Sequence, residues 1–499
     1  MSGNFEVMEA TIDDVHTAYE TGELTAVTLV EQYLDRIEAY DSQGPELNSI
    51  ITVNPHAKTQ AQALDSQFEE NGLVGPLHGI PIVVKDQVET ADITTTFGSV
   101  AFSEYTPEQD ATLVTKLKSA GAIILAKTNL PDWATSWFGY SSAIGRTKNP
   151  YDPARDPGGS SSGTGVAVAA NFGLVGIGED TGGSIRLPAA YNNLFGIRVT
   201  TGVLSRTGMS PLVASQDTPG PMARTVTDLA SVLDTISGYD AADEYTAVNA
   251  IRDEHSFADQ LDEHRLDGAR IGILRDAFGS EDDAESGPVT QLVNDAIETM
   301  ANAGAEIVDP VSVPNLDSHM ANTSLYLLQS KRDLNAFLSD RDTAPRRSVA
   351  ELYEQGDYHE ILDLFIGIAE ECPDEPESEL AYWKAVASQQ SFQRAVLNVY
   401  ASHDLDVLLC PDVQVVPPTA TAIESGELDT LTFPTNTILA SQCGLCAISI
   451  PAGLTDDGLP AGVELIGKPH DEQTLLSLAY AFEQQTNTRS PPETTPQLD

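Results

Sequence analysis

The stretch GEDTGGSIRLPAA, Gly178–Ala190, sets Gly182, Gly183 and Ser184 between Asp180 and Arg186, directly after the apolar run Leu174–Ile177. An apolar run leading into a glycine turn and then a short helical turn puts Ser184 at the mouth of a sheet. Free N–H groups at a helix start favour negative charge there. One reading is a plain turn. The other is a nucleophile loop, because glycines let backbone N–H groups approach a ligand and those groups can hold the oxyanion of an attacked carbonyl. No histidine lies between His78 and His255, so a base for Ser184 has to be sought elsewhere. Lys85 and the serines at 160–162 are the candidates.

Outward from this turn, short apolar runs alternate with amphipathic stretches. Ile80–Val84, Ile123–Ala126, Leu174–Ile177, Ala269–Leu274, Ala305–Val308, Val407–Cys410, Ala447–Ile450 and Val463–Ile466 read as buried strands. Helical spacing marks Val27–Tyr40, Asp110–Ala120, Gly163–Phe172, Val226–Ser237, Pro288–Ala303 and Glu472–Gln484. That alternation predicts an α/β fold with a largely buried sheet. Tyr239–Asp267 is acidic and weakly apolar, and is expected as a surface excursion. Residues 311–404 carry helical patterns without strands and are expected to cap one side of the sheet and shape a pocket. With no low-complexity linker and no internal repeat, the expectation is one domain over 1–499, its core at about 10–240 and 405–485.

Composition narrows the classes. The chain has 75 acidic and 26 basic residues, a formal net charge of −49, with 41% hydrophobic residues. The acids are scattered, as in EDDAES (281–286) and EECPDEPESE (370–379), and not gathered in a tail. Such a surface repels itself at low ionic strength and is screened in concentrated salt. It resembles the surfaces of halophile cytoplasmic proteins; an acidic patch for a basic partner is the alternative. Nucleic-acid binding through a basic surface is disfavoured. No apolar run is long enough for a membrane span, and the N-terminal MSGNFEVMEATIDD has no signal-peptide pattern, so a cytoplasmic location is expected. Cys443 and Cys446 form a lone CxxC without a second pair or paired histidines; buried thiols are expected, not a metal site.

Two further stations carry polar groups in apolar surroundings. Lys85 ends the run GIPIVVK; it either reaches the surface or pairs with Asp86, or it is a buried base. Bringing a lysine from about 10.4 to about 7 takes about 4–5 kcal/mol of differential environment. DPGGSSSGTGVAVAANFG (156–173) is a glycine–serine loop opening a helix. It lacks the GK[ST] of a phosphate loop. GSSSG (159–163) fits a hydrolase elbow centred on Ser161, but three prolines and no strand precede it, against that reading.

Taken together, GPLHGIPIVVKD (75–86), PGGSSSGTG (157–165) and DTGGSIRLPA (180–189) resemble the amidase signature family, with 75 residues from Lys85 to Ser160 and 24 from Ser160 to Ser184. The similarity continues through 202–226, 433–445 and 459–484. The resemblance implies a mixed, twisted sheet covered by helices on both faces. It implies a Ser–cisSer–Lys triad of Ser184, Ser160 and Lys85, with Gly159–Ser160 cis. It also implies an oxyanion hole from the backbone of Thr181, Gly182, Gly183 and Ser184. Ser161 would support Lys85 or Ser160; Asp180 and Arg186 would hold the nucleophile loop, or lie at the surface. No cofactor or metal is implied. The expected activity is hydrolysis of a small-molecule or peptide amide through an acyl-enzyme. The alternative is the glutaminase component of a glutamyl-tRNA amidotransferase, working with partner subunits; a homo-oligomer stays open. Gln87, Glu179 and Cys446 depart from residues common in the family, asparagine, threonine and proline respectively. The acid surplus generates a test: raising KCl from about 0.1 M to about 2 M should raise the thermal unfolding midpoint by at least several degrees, followed by circular dichroism. A midpoint that stays put or falls would remove the salt requirement.

Overall fold

The apolar runs do become strands. In the computed structural model, which describes residues 5–250, 256–486 and 488–498, there are thirteen. They are β1 Ile50–Val53, β2 Pro81–Lys85, β3 Ile123–Thr128, β4 Tyr140–Ser141, β5 Gly145–Arg146, β6 Val175–Asp180 and β7 Phe195–Arg198. The chain continues with β8 Thr218–Ala223, β9 Arg270–Leu274, β10 Glu306–Val311, β11 Val407–Pro411, β12 Ala447–Leu454 and β13 Pro460–Ile466. β4 and β5 form a small hairpin. The other eleven make one mixed sheet in the order β1-β3-β2-β6-β8-β7-β12-β13-β11-β9-β10. Inside the antiparallel edge strand β1, β3, β2 and β6 run parallel; β11, β9 and β10 run parallel at the other end, and the pairings from β6 through β11 are antiparallel. Residues 1–4 of the N-terminal segment and 251–255 of the expected surface excursion lie outside the described residues.

Every residue of β2, β3 and β6 is buried, as parallel strands covered on both faces require. The helix Ser162–Ala169 lies against β2, β3 and β6 and is itself wholly buried, because Arg186–Tyr191 covers it in turn. Its sequence SGTGVAVA is what that double packing demands. A Cβ at Gly163 would run into the Ser49 carbonyl and the Asn129 backbone. A row of helices, Thr112–Ser119, Val226–Ile236, Glu472–Gln485 and Gly287–Asn302, forms a second layer against the sheet. Residues 316–403 hold five α-helices, from Leu316–Thr323 to Leu380–His403, and a 3-10 turn at Pro376–Ser378.

Three strands of the sheet lack a readable apolar run. β8, TPGPMA, holds two prolines and a glycine yet sits between β6 and β7. β7 is only four residues, and β1 is a half-buried edge. Cys443 and Cys446 are buried thiols, as expected, and Cys372 and Cys410 are buried and free as well. Ile177, fully buried in β6 three residues before Asp180, tests the central packing. Ile177→Ala should cost about 2–5 kcal/mol in denaturant-induced unfolding; a cost under about 1 kcal/mol would mean the centre of the sheet is not tightly packed.

Candidate active site

β2 and β6 are parallel neighbours, with Val83 opposite Gly176 and Val84 opposite Ile177. Their C-terminal ends therefore deliver Lys85 and Glu179–Asp180 to the same edge of the sheet. Lys85 is fully buried and does not pair with Asp86. Asp86 is taken instead by Lys127 of β3, 2.8 Å away, and by the Thr96 N–H and hydroxyl. Lys85 Nζ is left to donate to Ser160 Oγ at 2.8 Å and to the Glu179 carbonyl at 3.2 Å, with Glu179 Oε2 at 3.4 Å. Burial pushes the ammonium below the usual lysine range, and Glu179 restores part of that loss. Burial raises the Glu179 carboxyl above the usual carboxylate range, and the Lys85 ammonium pulls it back down.

Ser160 and Ser161 arrive on the loop before the buried helix, and the Gly159–Ser160 bond is cis. Ser161 N–H donates to the Ser184 carbonyl at 3.1 Å, while its hydroxyl lies 3.2 Å from the Glu179 carbonyl and 3.3 Å from the Glu179 N–H. Ser161 thus ties the lysine-side loop to the turn of the candidate nucleophile. No strand runs into Ser161, which agrees with the reading against an elbow.

The turn itself is held by charge. Asp180 is fully buried and accepts from Ile185 N–H at 3.2 Å, from Arg186 Nε at 3.2 Å and Nη2 at 3.1 Å, and from Arg198 Nη1 of β7 at 2.9 Å. Burial works against its charge, but Arg186 and Arg198 prevail and hold the carboxyl at about 2. Arg186 also bonds Glu464 of β13, the Thr437 carbonyl at 2.8 Å and Ser441 Oγ at 2.8 Å. Both residues hold the loop; neither lies at the surface.

Between them the chain turns through Gly182 and Gly183. A Cβ at Gly182 would overlap the Tyr326 hydroxyl, and one at Gly183, where φ is 141°, the Thr437 hydroxyl. Among the described residues, no protein group accepts from the N–H groups of Gly182, Gly183 or Ser184. Those are donors an oxyanion would use. Ser184 is 3% exposed where Lys85 and Ser160 are 0%, so it is the member of the three that solvent reaches. A mainly apolar cavity of about 340 Å³, lined among others by Trp137, Tyr326, Leu327, Phe433 and Ile438, opens beside this turn.

Several neighbours are not legible in the sequence as site residues. Glu179 stands out there only as a departure, and Arg198, Gln216 and Asp217 not at all. Gln216 donates to the Thr181 carbonyl at 3.2 Å, and the Thr181 hydroxyl bridges Glu179 and Asp217 at 2.9 and 2.7 Å. The stretch SQDTPG that carries Gln216 and Asp217 is the available signal. Tyr326 sits in the region where no pattern stands out.

A buried lysine bonded to one serine, with a second serine at a glycine turn rich in free N–H groups, can run serine-based acyl transfer with an amine as base. The amidase family profile matches residues 28–476, and the chain belongs to that family of amide-hydrolysing enzymes. The A subunit of glutamyl-tRNA(Gln) amidotransferase from Geobacter sp. strain M21 is 33% identical over 495 residues, covering 96% of this chain and 98% of that protein. The peptide amidase from Stenotrophomonas maltophilia superposes with a TM-score of 0.85 at 35% identity, over 97% of this chain and 99% of that one. The corresponding A subunit from Thermotoga maritima gives 0.77 at 25% identity, over 98% and 99%. Removing the carboxylate in Asp180→Asn leaves Arg198 buried without its ion-pair partner. That should cost about 3–5 kcal/mol in chemical unfolding, and a loss below about 1 kcal/mol would deny the cluster its anchoring role.

Proposed function

We propose that the protein is a stand-alone amidase in which Ser184 attacks the amide carbonyl, Ser160 relays the proton and neutral Lys85 receives it. The observation that carries this reading is the buried 2.8 Å bond from Lys85 to Ser160 beside the Ser184 turn. In the first step Ser184 Oγ bonds the carbonyl carbon. Its proton passes to Ser160 as the Ser160 proton passes to Lys85 Nζ. The oxyanion rests on the N–H groups of Thr181, Gly182, Gly183 and Ser184. Collapse expels the amine, which takes the proton back through Ser160, and water then releases the acid by the same relay.

The aromatic-lined cavity next to the turn suits an amide carrying an apolar or aromatic group, and the likeness to peptide amidase supports a peptide amide. Helices 316–403 shape that pocket through Tyr326 and Leu327. The acid surplus supports work in a cytoplasm of high salt, and no helix among the described residues is long and apolar enough to cross a membrane. The 33% identity to an amidotransferase component supports a second reading, a glutaminase arm acting within a complex.

Ammonia release in about 2 M KCl, from aliphatic, aromatic and peptide amides and from glutamine, separates the two. Turnover of simple amides by the chain alone is expected. Ser184→Ala should lower kcat by at least about 10,000-fold, and Lys85→Ala by about 100- to 10,000-fold. Silence on every amide, with activity appearing only after the other amidotransferase components and charged tRNA are added, would make the chain the glutaminase arm instead.

A further inference from the structure

Glu179 stands in direct contact with Lys85 and has no part in the relay above. Its two oxygens face different partners: Oε2 lies 3.4 Å from Lys85 Nζ, and Oε1 lies 2.9 Å from the Thr181 hydroxyl, which is also 2.7 Å from Asp217 Oδ1. Its position is held from both sides, since its carbonyl also accepts from Lys85 and from Ser161. The carboxylate thus lies beside the lysine at the end of β6, next to the turn that carries Ser184. A threonine at this position, as is common in the family, would leave no charge beside the base.

Resting on the triad reading, we propose that Glu179 is a positioning residue that sets the pH at which Lys85 becomes a base, by holding the resting side chain as an ammonium. An opposite charge within about 4–6 Å favours the protonated lysine by about 1–3 pH units. The other groups facing this pair act around it. Asp180 follows it on β6, Asp217 approaches through the Thr181 hydroxyl, Arg198 comes from β7 and Tyr326 from the helix Tyr326–Ser339. All of these remain when Glu179 alone is neutralised. Glu179 also forms part of the wall of a cavity of about 610 Å³ together with Arg206, Ser210, Asp217, Asp333 and Arg341.

The sign is definite. Activity requires neutral Lys85, so it rises with pH through the lysine's ionisation. Taking away the carboxylate removes what stabilises the ammonium and moves that rise to lower pH. The experiment is the pH dependence of kcat/KM for wild type, Glu179→Gln and Glu179→Thr on the best amide of the panel. The acidic limb should move down by about 1–3 pH units in both variants, with the maximal rate kept within about tenfold. An unmoved limb would overturn the proposal. Loss of activity at every pH in variants that melt cooperatively would overturn it too, because a lysine freed of its counter-ion loses nothing as a base at high pH. Ser184→Ala in the same assay tests the triad separately: activity surviving there sinks the triad whatever Glu179 does.

Discussion

The site depends on one buried carboxylate. Asp180 stands at the end of β6 with Arg186 on one side and Arg198 of β7 on the other, and Arg186 reaches on to Glu464 of β13 and to the segment around Thr437 and Ser441. A turn of two glycines has little rigidity of its own. Here its two ends are clamped to the strands and to the 437–442 segment, so the position of Ser184 is a property of the sheet and not of the loop. An unpaired carboxylate at this depth would protonate to escape desolvation. Two guanidiniums keep it charged, and the charge is what makes the clamp directional.

The second constraint is how the buried cations are shared out. Lys85 and Lys127 lie on adjacent strands, both fully buried, and Asp86 is next to Lys85 in sequence. Asp86 is committed to Lys127, which leaves Lys85 to Ser160 and Glu179. Successive residues at the end of an extended strand point to opposite faces, so Asp86 turns to Lys127, Thr95 supplies that lysine with a further acceptor, and Lys85 faces Ser160. Lys127 saturates one acid so that the other lysine stays available. The different partners of the two lysines follow from the alternation of the strand.

Much of this is legible in the sequence. Runs such as IPIVVK and IILAKT are continuous, β-branched and bounded by glycine, so their strands can be read directly. The glycine turn, the serine loop and Lys85 are legible because their residue types are costly in a core and need a reason to be there. What cannot be read depends on contacts between distant segments. β8 holds prolines that argue against an interior strand. They stand at alternate positions, 219 and 221, so both missing N–H groups fall on one side of the strand, and β7 pairs with β8 only at Met222 and Ala223. Asp180 and Arg186 look as much like a surface pair as a clamp in sequence, since Arg198 and Glu464, which decide the matter, lie 18 and 278 residues from their partners. Glu179 is only an unusual letter until the fold places it against Lys85.

The charge of the molecule divides into two systems that answer to different physics. The exposed acids lie in high dielectric, and salt screens them within about 10 Å at 0.1 M and about 3 Å at 1 M. The cluster of Lys85, Glu179, Asp180, Arg186, Arg198 and Glu464 is buried, and mobile ions do not enter it. Its energies are set by desolvation and by contacts of about 3 Å, which ionic strength barely alters. A surface carrying the net charge of −49 can therefore be tuned to concentrated salt without altering the buried surroundings of Lys85. Burial is what makes that independence possible, and it is the same burial that makes each acid beside Lys85 count.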